Sequence, residues 1–198
     1  MTVKLVGSTS GSVSLQAPAS TTGGAHRVLT LPDADGTVAV GDTGKILQVL
    51  ETVKTDTASN SFSTSVWEPT FLRQSITTTG SNKVLIHGQV SLCYDSSGNA
   101  IRIGLMKDES LVSGAVGDTS NSNRRATAES RAGAQYAMTT ISFSYLDSPS
   151  AGTHEYHFQI SHSSGGNRTV YINRVYDGNT DSSVGRAISL IRCMEVAA

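Results

Sequence analysis

His154, His157 and His162 are the residues whose type and spacing come nearest to a metal or acid–base site. In a strand, alternate side chains point to opposite faces, so His154 and His157 diverge and cannot serve one ion. His157 falls on the solvent-facing parity, opposite Tyr156 and Phe158, which predicts a polar residue on an outer face. Only equivalent histidines gathered around a symmetry axis would make a ligand set, so the expectation is no metal. Asp177-Gly178-Asn179-Thr180-Asp181 begins like a calcium loop, with alternating oxygen ligands. Ser182 then stands where the sharp-turn glycine belongs, and Ile188 where the bidentate glutamate would be. That segment reads as a solvated turn.

Other chemistry is equally thin. Glu68, Glu129, Asp147 and Glu155 show no fixed pairing of the kind glycoside hydrolysis needs. The chain has no Gly-x-Ser-x-Gly elbow, no phosphate-binding Gly-x-x-x-x-Gly-Lys-Ser/Thr and no His-Glu-x-x-His. Its glycines lie in Ser/Thr-rich turns, which offer no helix N-terminus to cradle a nucleotide. Arg124, Arg125 and Arg131 are basic but lack interleaved aromatics. Across the chain 15 basic residues balance 16 acidic ones, which argues against a general grip on nucleic acid or an anionic membrane. Met1–Val6 is not the start of a signal peptide, and no apolar run approaches the ~18 residues of a membrane span. Cys93 and Cys193 read as half-buried thiols and not as a disulfide scaffold. The expectation is a non-enzymatic protein without cofactor, nucleic acid or membrane insertion.

The scaffold is legible in the composition. With 29 Ser, 22 Thr and 19 Gly in 198 residues, long helices are disfavoured, because all three form helices less readily than Ala or Leu. A 37% hydrophobic content with net charge −1 lies outside the disordered signature, so an all-β protein remains. All 11 aromatic residues fall at or beyond Phe62. Before it come small aliphatic clusters (Val3, Leu5 and Val6; Val13 and Leu15; Val28, Leu29 and Leu31; Val38 and Val40) separated by Gly, Ser, Asp and Pro turns. Such strands cannot build a private core, so either the following domain or copies of the same segment from neighbouring chains must cover them, and neighbouring chains are the favoured cover. Residues 1–61 therefore read as an extended, oligomerising anchor and 62–198 as a β-sandwich head.

Within the head the period-two pattern is clear. Gly44–Leu50 reads as a buried strand leading into it. Val84, Ile86, Val90 and Leu92 share one parity with Gly88, Ile101, Ile103 and Leu105 share another, and so do Ile141, Phe143 and Tyr145. Tyr156, Phe158 and Ile160 follow, then Val170 and Ile172, then Ile188 and Leu190. The expected core comprises Ile86, Val90, Ile103, Phe143, Phe158, Ile172 and Leu190. Asp95–Asn99 reads as a hairpin-like connection, and Asp147–Gly152 and Ser163–Asn167 as further turns. Thr119–Gly133 has no period and reads as a loop. Many short strands with frequent turns predict a jelly-roll-like sandwich.

Several stretches resemble phage tail-fibre and related virion structural proteins: Gly11–Ser20, His26–Val38, Gly44–Val49, Ser75–Thr78 and Lys83–Ile86. Phe143–Pro149, Val170–Arg174, Asp181–Arg186 and Cys193–Ala198 carry the most specific likeness. The resemblance implies a homotrimeric virion protein with a head in the style of C1q or tumour-necrosis-factor domains. Its N-terminal segment would engage other virion proteins. The chain is short for a fibre and has no shaft repeats. That leaves two roles, a short tail fibre or appendage contributing to host attachment, and a capsid decoration protein. A sugar-cleaving spike is disfavoured, because only Trp67 and scattered tyrosines could stack on a glycan. Recognition of a host receptor or glycan would fall to loops on the rigid scaffold. The expected contact residues are Tyr94, Asp95 and Asn99 at the first loop, and Arg124, Arg125 and Arg131 at the irregular one.

Overall fold

Alternating apolar residues and Ser/Thr/Gly turns produce strands almost throughout. The computed structural model describes residues 2–6, 12–16, 44–64, 66–119, 124–131, 136–176 and 184–198. The chain divides into two units, Met1–Val40 and Gly41–Ala198. In the first, β1 (Thr2–Val6) and β2 (Ser12–Gln16) form an antiparallel hairpin with Val3 opposite Leu15 and Leu5 opposite Val13.

The second unit is a sandwich of two antiparallel sheets. Its strands are β3 (Ile46–Lys54), β4 (Ala58–Ser63), β5 (Glu68–Thr78), β6 (Lys83–Tyr94), β7 (Ala100–Lys107) and β8 (Ser110–Leu111). They continue as β9 (Ala128–Arg131), β10 (Thr139–Asp147), β11 (Gly152–His162), β12 (Asn167–Ile172) and β13 (Ser189–Val196). The first sheet runs β3-β13-β6-β12-β4, with β10 on the other side of β6. The second runs β5-β11-β7-β8, with β9 also on β7.

The core fills the space between the sheets. Val84, Ile86, Val90 and Leu92 of β6 face Ile101, Ile103 and Leu105 of β7 and Tyr156, Phe158 and Ile160 of β11. Gly88 lies at the middle because nothing larger fits. A Cβ there would approach the Phe158 ring to 2.5 Å and the Phe143 ring to 2.9 Å, and these rings pack edge to face at 4.9 Å. A second tight point is polar. Asn173, fully buried and at φ 61°, closes the gap where β12 and β13 both meet β6. Its amide donates to the Lys54 and Asp56 carbonyls at 2.8 and 2.9 Å, and its oxygen accepts from the Ser189 hydroxyl at 2.6 Å. Asn tolerates the left-handed backbone and satisfies three polar groups at once, which explains why this position in Val170–Arg174 is polar.

Several expectations need correcting. Asp95–Asn99 does not close a hairpin: like the turns Asp147–Gly152 and Ser163–Asn167, it carries the chain from one sheet to the other, as in a jelly roll. β3 and β4 belong to the first sheet, so the sandwich starts upstream of residue 62. β3 lies at the sheet edge with Leu47, Val49 and Val53 exposed, not buried. In β13 the inward residues are Ile191 and Cys193, while Leu190 faces outward and Ile188 is exposed. Phe143 is only partly buried, whereas Ile86, Val90, Ile103, Phe158 and Ile172 are in the core. The region Thr119–Gly133 contains β9, whose residues pair with β7 from Ala100–Arg131 to Ile103–Ala128. Cys93 and Cys193 are both buried and form no disulfide, and burial pushes the Cys193 thiol up to about 12.

Candidate functional site

The expected contact residues prove to be largely structural. Tyr94 is 1% exposed, its ring against His162 at 5.5 Å, so it cannot serve as the aromatic surface foreseen for a partner. Asp95 accepts from the Thr169 amide at 2.8 Å, and the Asn99 amide caps its own turn through Ser97. Arg125 donates to the Gly117 and Ser113 carbonyls, while Arg131 donates to Gly98. These anchors lie at opposite ends of β7, so the three arginines do not form one cluster. Arg124 is exposed, and Arg131 sits beside the Asp95–Asn99 turn. The calcium-like segment 177–181 lies outside the described residues.

A different group converges on the outer face of the second sheet. β7 and β8 are joined by the two-residue turn Asp108-Glu109, both at positive φ (49° and 63°), the geometry that suits twisted hairpins and that Asn-Gly adopts most easily. The turn throws its two carboxylates back over β11. Asp108 accepts from the Glu155 amide at 2.9 Å and pairs with His154 Nδ1 at 2.7 Å. The hydrogen bond from His154 holds the Asp108 carboxyl below its usual range. Arg73 on β5 binds Glu109 at 2.6 Å and Glu155 at 2.5 Å. That contact keeps the Glu109 carboxyl low and raises the guanidinium.

His157 lies beneath these groups, with Arg73 opposite it on β5 and Met106 opposite it on β7. The side chain is 1% exposed, which overturns the expected solvent-facing position. Parity was read correctly, since His157 does point away from the core. The outer face itself is covered, by Met106, the Glu109 turn and the Arg73 side chain. Burial first, then Arg73, lowers its pKa below the ordinary value. Glu109 and Glu155 oxygens lie 3.5 and 3.7 Å from its two nitrogens. Opposite His157 the second sheet is also bulged. Thr70, Phe71 and Leu72 together face Phe158, with Phe71 at φ 64° and turned out to solvent.

On the far side of the same hairpin, Lys107, Ser110–Gly114, Tyr145 and Asp147 line a cleft of about 380 Å³. Asp147 accepts from Lys107 Nζ at 2.8 Å and from the Tyr156 hydroxyl at 2.7 Å. Burial opposes its ionisation, yet these two donors hold its pKa below the ordinary value. Tyr156 moves upward, from burial and from that carboxylate. A base and a cation so paired make a structural tie, not a poised acid–base couple. His162 is structural as well, its Nε2 2.9 Å from the Phe62 carbonyl.

The first sheet presents a contrasting outer face. Direct cross-strand partners place Val49 beside Met194, Met194 beside Leu85, and Leu85 beside Leu146, an apolar row across four strands. The next row is Glu51, Arg192, His87 and Ser144, with Arg192 bonded to Glu51 at 2.7 Å and His87 to Ser144 at 2.9 Å. Sequence reasoning missed this row, and it missed Arg73, Asp108 and Glu109. The signals were available: a polar Asp-Glu pair between the apolar runs of β7 and β8, and apolar residues on both parities of β6 and β13.

The sequence matches no family model and no curated protein. Solved structures that match this chain distantly include the infectious bursal disease virus Gt strain, at 13% identity over 98% of this chain and TM-score 0.37. The Gx strain gives 15% identity over 95% and TM-score 0.38, and T=1 particles derived from the same virus give 14% over 98% and 0.36. The chain spans 44–46% of the length of those chains.

Proposed function

We propose that this chain is a non-enzymatic structural protein of a virion that assembles with copies of itself, as a short tail fibre or tail appendage contributing to host attachment. The observation that carries the self-assembly is the apolar row Val49, Met194, Leu85 and Leu146, with Leu47 and Val53 exposed on the same edge strand. A contiguous apolar patch on an outer sheet face is the usual mark of an interface. Its occupant is a second copy: the neighbouring Glu51–Arg192 pair gives the patch both charge signs, which can pair reciprocally between like surfaces. The resemblance of Phe143–Pro149, Val170–Arg174 and Cys193–Ala198 to virion proteins supports the particle and a count of three copies.

Host contact then belongs to exposed loop residues, of which Arg124 and Arg131 beside the Asp95–Asn99 turn are the candidates left by the geometry. Capsid decoration is the second reading. Light scattering on the full chain should give a trimer, and Leu85→Asp with Met194→Asp should give folded monomers. Purified trimer should coat host cells and reduce phage adsorption. A protein that ignores cells but binds emptied capsids and protects them from heat is a decoration protein, and a wild-type monomer at micromolar concentration overturns the assembly.

A further inference from the structure

We propose that Glu109, Glu155 and His157 form a site for a divalent first-row metal ion of the zinc class, which the Arg73 guanidinium occupies in the ion's place. The site is built from three elements: the β7–β8 turn, β11 and, through Arg73, β5. One ligand atom from each of Glu109, Glu155 and His157 lies within 4.8 Å of the other two. In a tetrahedral site with bonds of about 2.0–2.2 Å, ligand atoms stand roughly 3.3–3.6 Å apart, so closing the set needs shifts of about an ångström.

The independent sign is His157 itself. Its side chain is 1% exposed, and among the described residues neither ring nitrogen has a hydrogen-bond partner. Buried polar atoms are nearly always satisfied, and an imidazole orphaned at both nitrogens beside two carboxylates is a ligand set waiting for a cation. One imidazole and two carboxylates select zinc-like ions over magnesium or calcium, which prefer all-oxygen shells.

Arg73 explains how the carboxylates coexist without an ion. Its guanidinium bridges Glu109 and Glu155 and supplies the positive charge that a metal would supply. Its side chain is 41% exposed and Glu109 is 63% exposed, so the guanidinium can swing to solvent and the ion can enter from the same side. Three protein ligands leave the fourth position to water or to a group from a neighbouring molecule. Bound metal would lock the Asp108–Glu109 turn onto β11.

The test is zinc titration by calorimetry on the untagged full chain after chelator treatment. The expected result is one saturable site per chain, weakened at least tenfold in Glu109→Gln and in His157→Asn. Arg73→Gln should bind several-fold more tightly, because the competing cation is gone, whereas His87→Asn on the opposite sheet should match wild type. If His157→Asn fails to fold, Glu109→Gln at its exposed turn decides alone. Absence of saturable binding in both wild type and Arg73→Gln overturns the site, as does binding that a folded Glu109→Gln leaves unchanged.

Discussion

The two sheets present opposite outer faces although both alternate inward apolar residues in the same way. On the first, Val49, Met194, Leu85 and Leu146 form an apolar row. On the second, Arg73, Glu109, Glu155 and His157 form a charged cluster over a buried ring. Since one face of each sheet suffices for the core, the other is left to sequence choice. The difference teaches that outward positions here are differentiated: one face suits burial against a like surface, while the other is cross-linked by ion pairs within the chain.

Both faces hang on one interior, and the largest expected effect tests that. Phe158 packs fully buried against Phe143 and Gly88, so Phe158→Ala should cost about 3–5 kcal/mol. Urea unfolding followed by Trp67 fluorescence, which reports the second sheet at Gly104, and by far-ultraviolet dichroism should give one shared, shifted midpoint. Separate midpoints would mean that the faces belong to independently stable layers.

Next in size is the apolar face. Leu85→Asp should weaken self-association at least a hundredfold, about 3 kcal/mol, while leaving monomer stability nearly unchanged. Glu109→Gln on the other face should leave association intact. Sedimentation at several concentrations distinguishes them, and equal loss in both variants would erase the proposed division between the faces.

The cleft behind the hairpin gives a smaller effect. Asp147→Asn keeps the shape but removes the charge that Lys107 and Tyr156 share, and should cost about 1–3 kcal/mol in denaturant unfolding. An unchanged midpoint would show that the tie between β10 and β11 is dispensable.

What the sequence made legible follows from how local each feature is. Alternation in β6, β7 and β11 was readable because one parity is consistently apolar, and Ile86, Ile103 and Phe158 are buried as expected. β13 misled because Ile188-Ser189-Leu190-Ile191 is apolar on both parities. The inward residue there is Ser189, held by Asn173, a partner 16 positions away. Sheet membership was not readable, because a turn such as Asp95–Asn99 has the same composition whether it closes a hairpin or crosses layers. Tyr94 looked like a loop residue and is covered, since β6 is buried on both faces from Val90 to Tyr94. The cluster around His157 was invisible because it joins positions 73, 109, 155 and 157, which only strand register brings together.

The smallest expected effect is a slope in stability against pH, and it belongs to the charged face alone. His157 is buried, and burial together with Arg73 lowers its pKa below the ordinary 6.5, while Glu109, Glu155 and Asp108 pull the other way. Folded protein therefore binds fewer protons than unfolded chain in the interval just below pH 6.5. Stability contributed by the neutral ring is complete above that value and is lost as pH falls through the folded-state pKa. The slope amounts to at most one proton, about 1.4 kcal/mol per pH unit. Measured as urea midpoints from pH 7.5 downward, His157→Asn should flatten the curve just below pH 6.5, while His87→Asn on the apolar sheet should preserve it. Glu109→Gln should steepen it, because one of the carboxylates that eases protonation of the ring is gone. A curve that His157→Asn leaves unchanged would mean that the ring titrates alike in both states, and the covered face would then be no drier than its apolar counterpart.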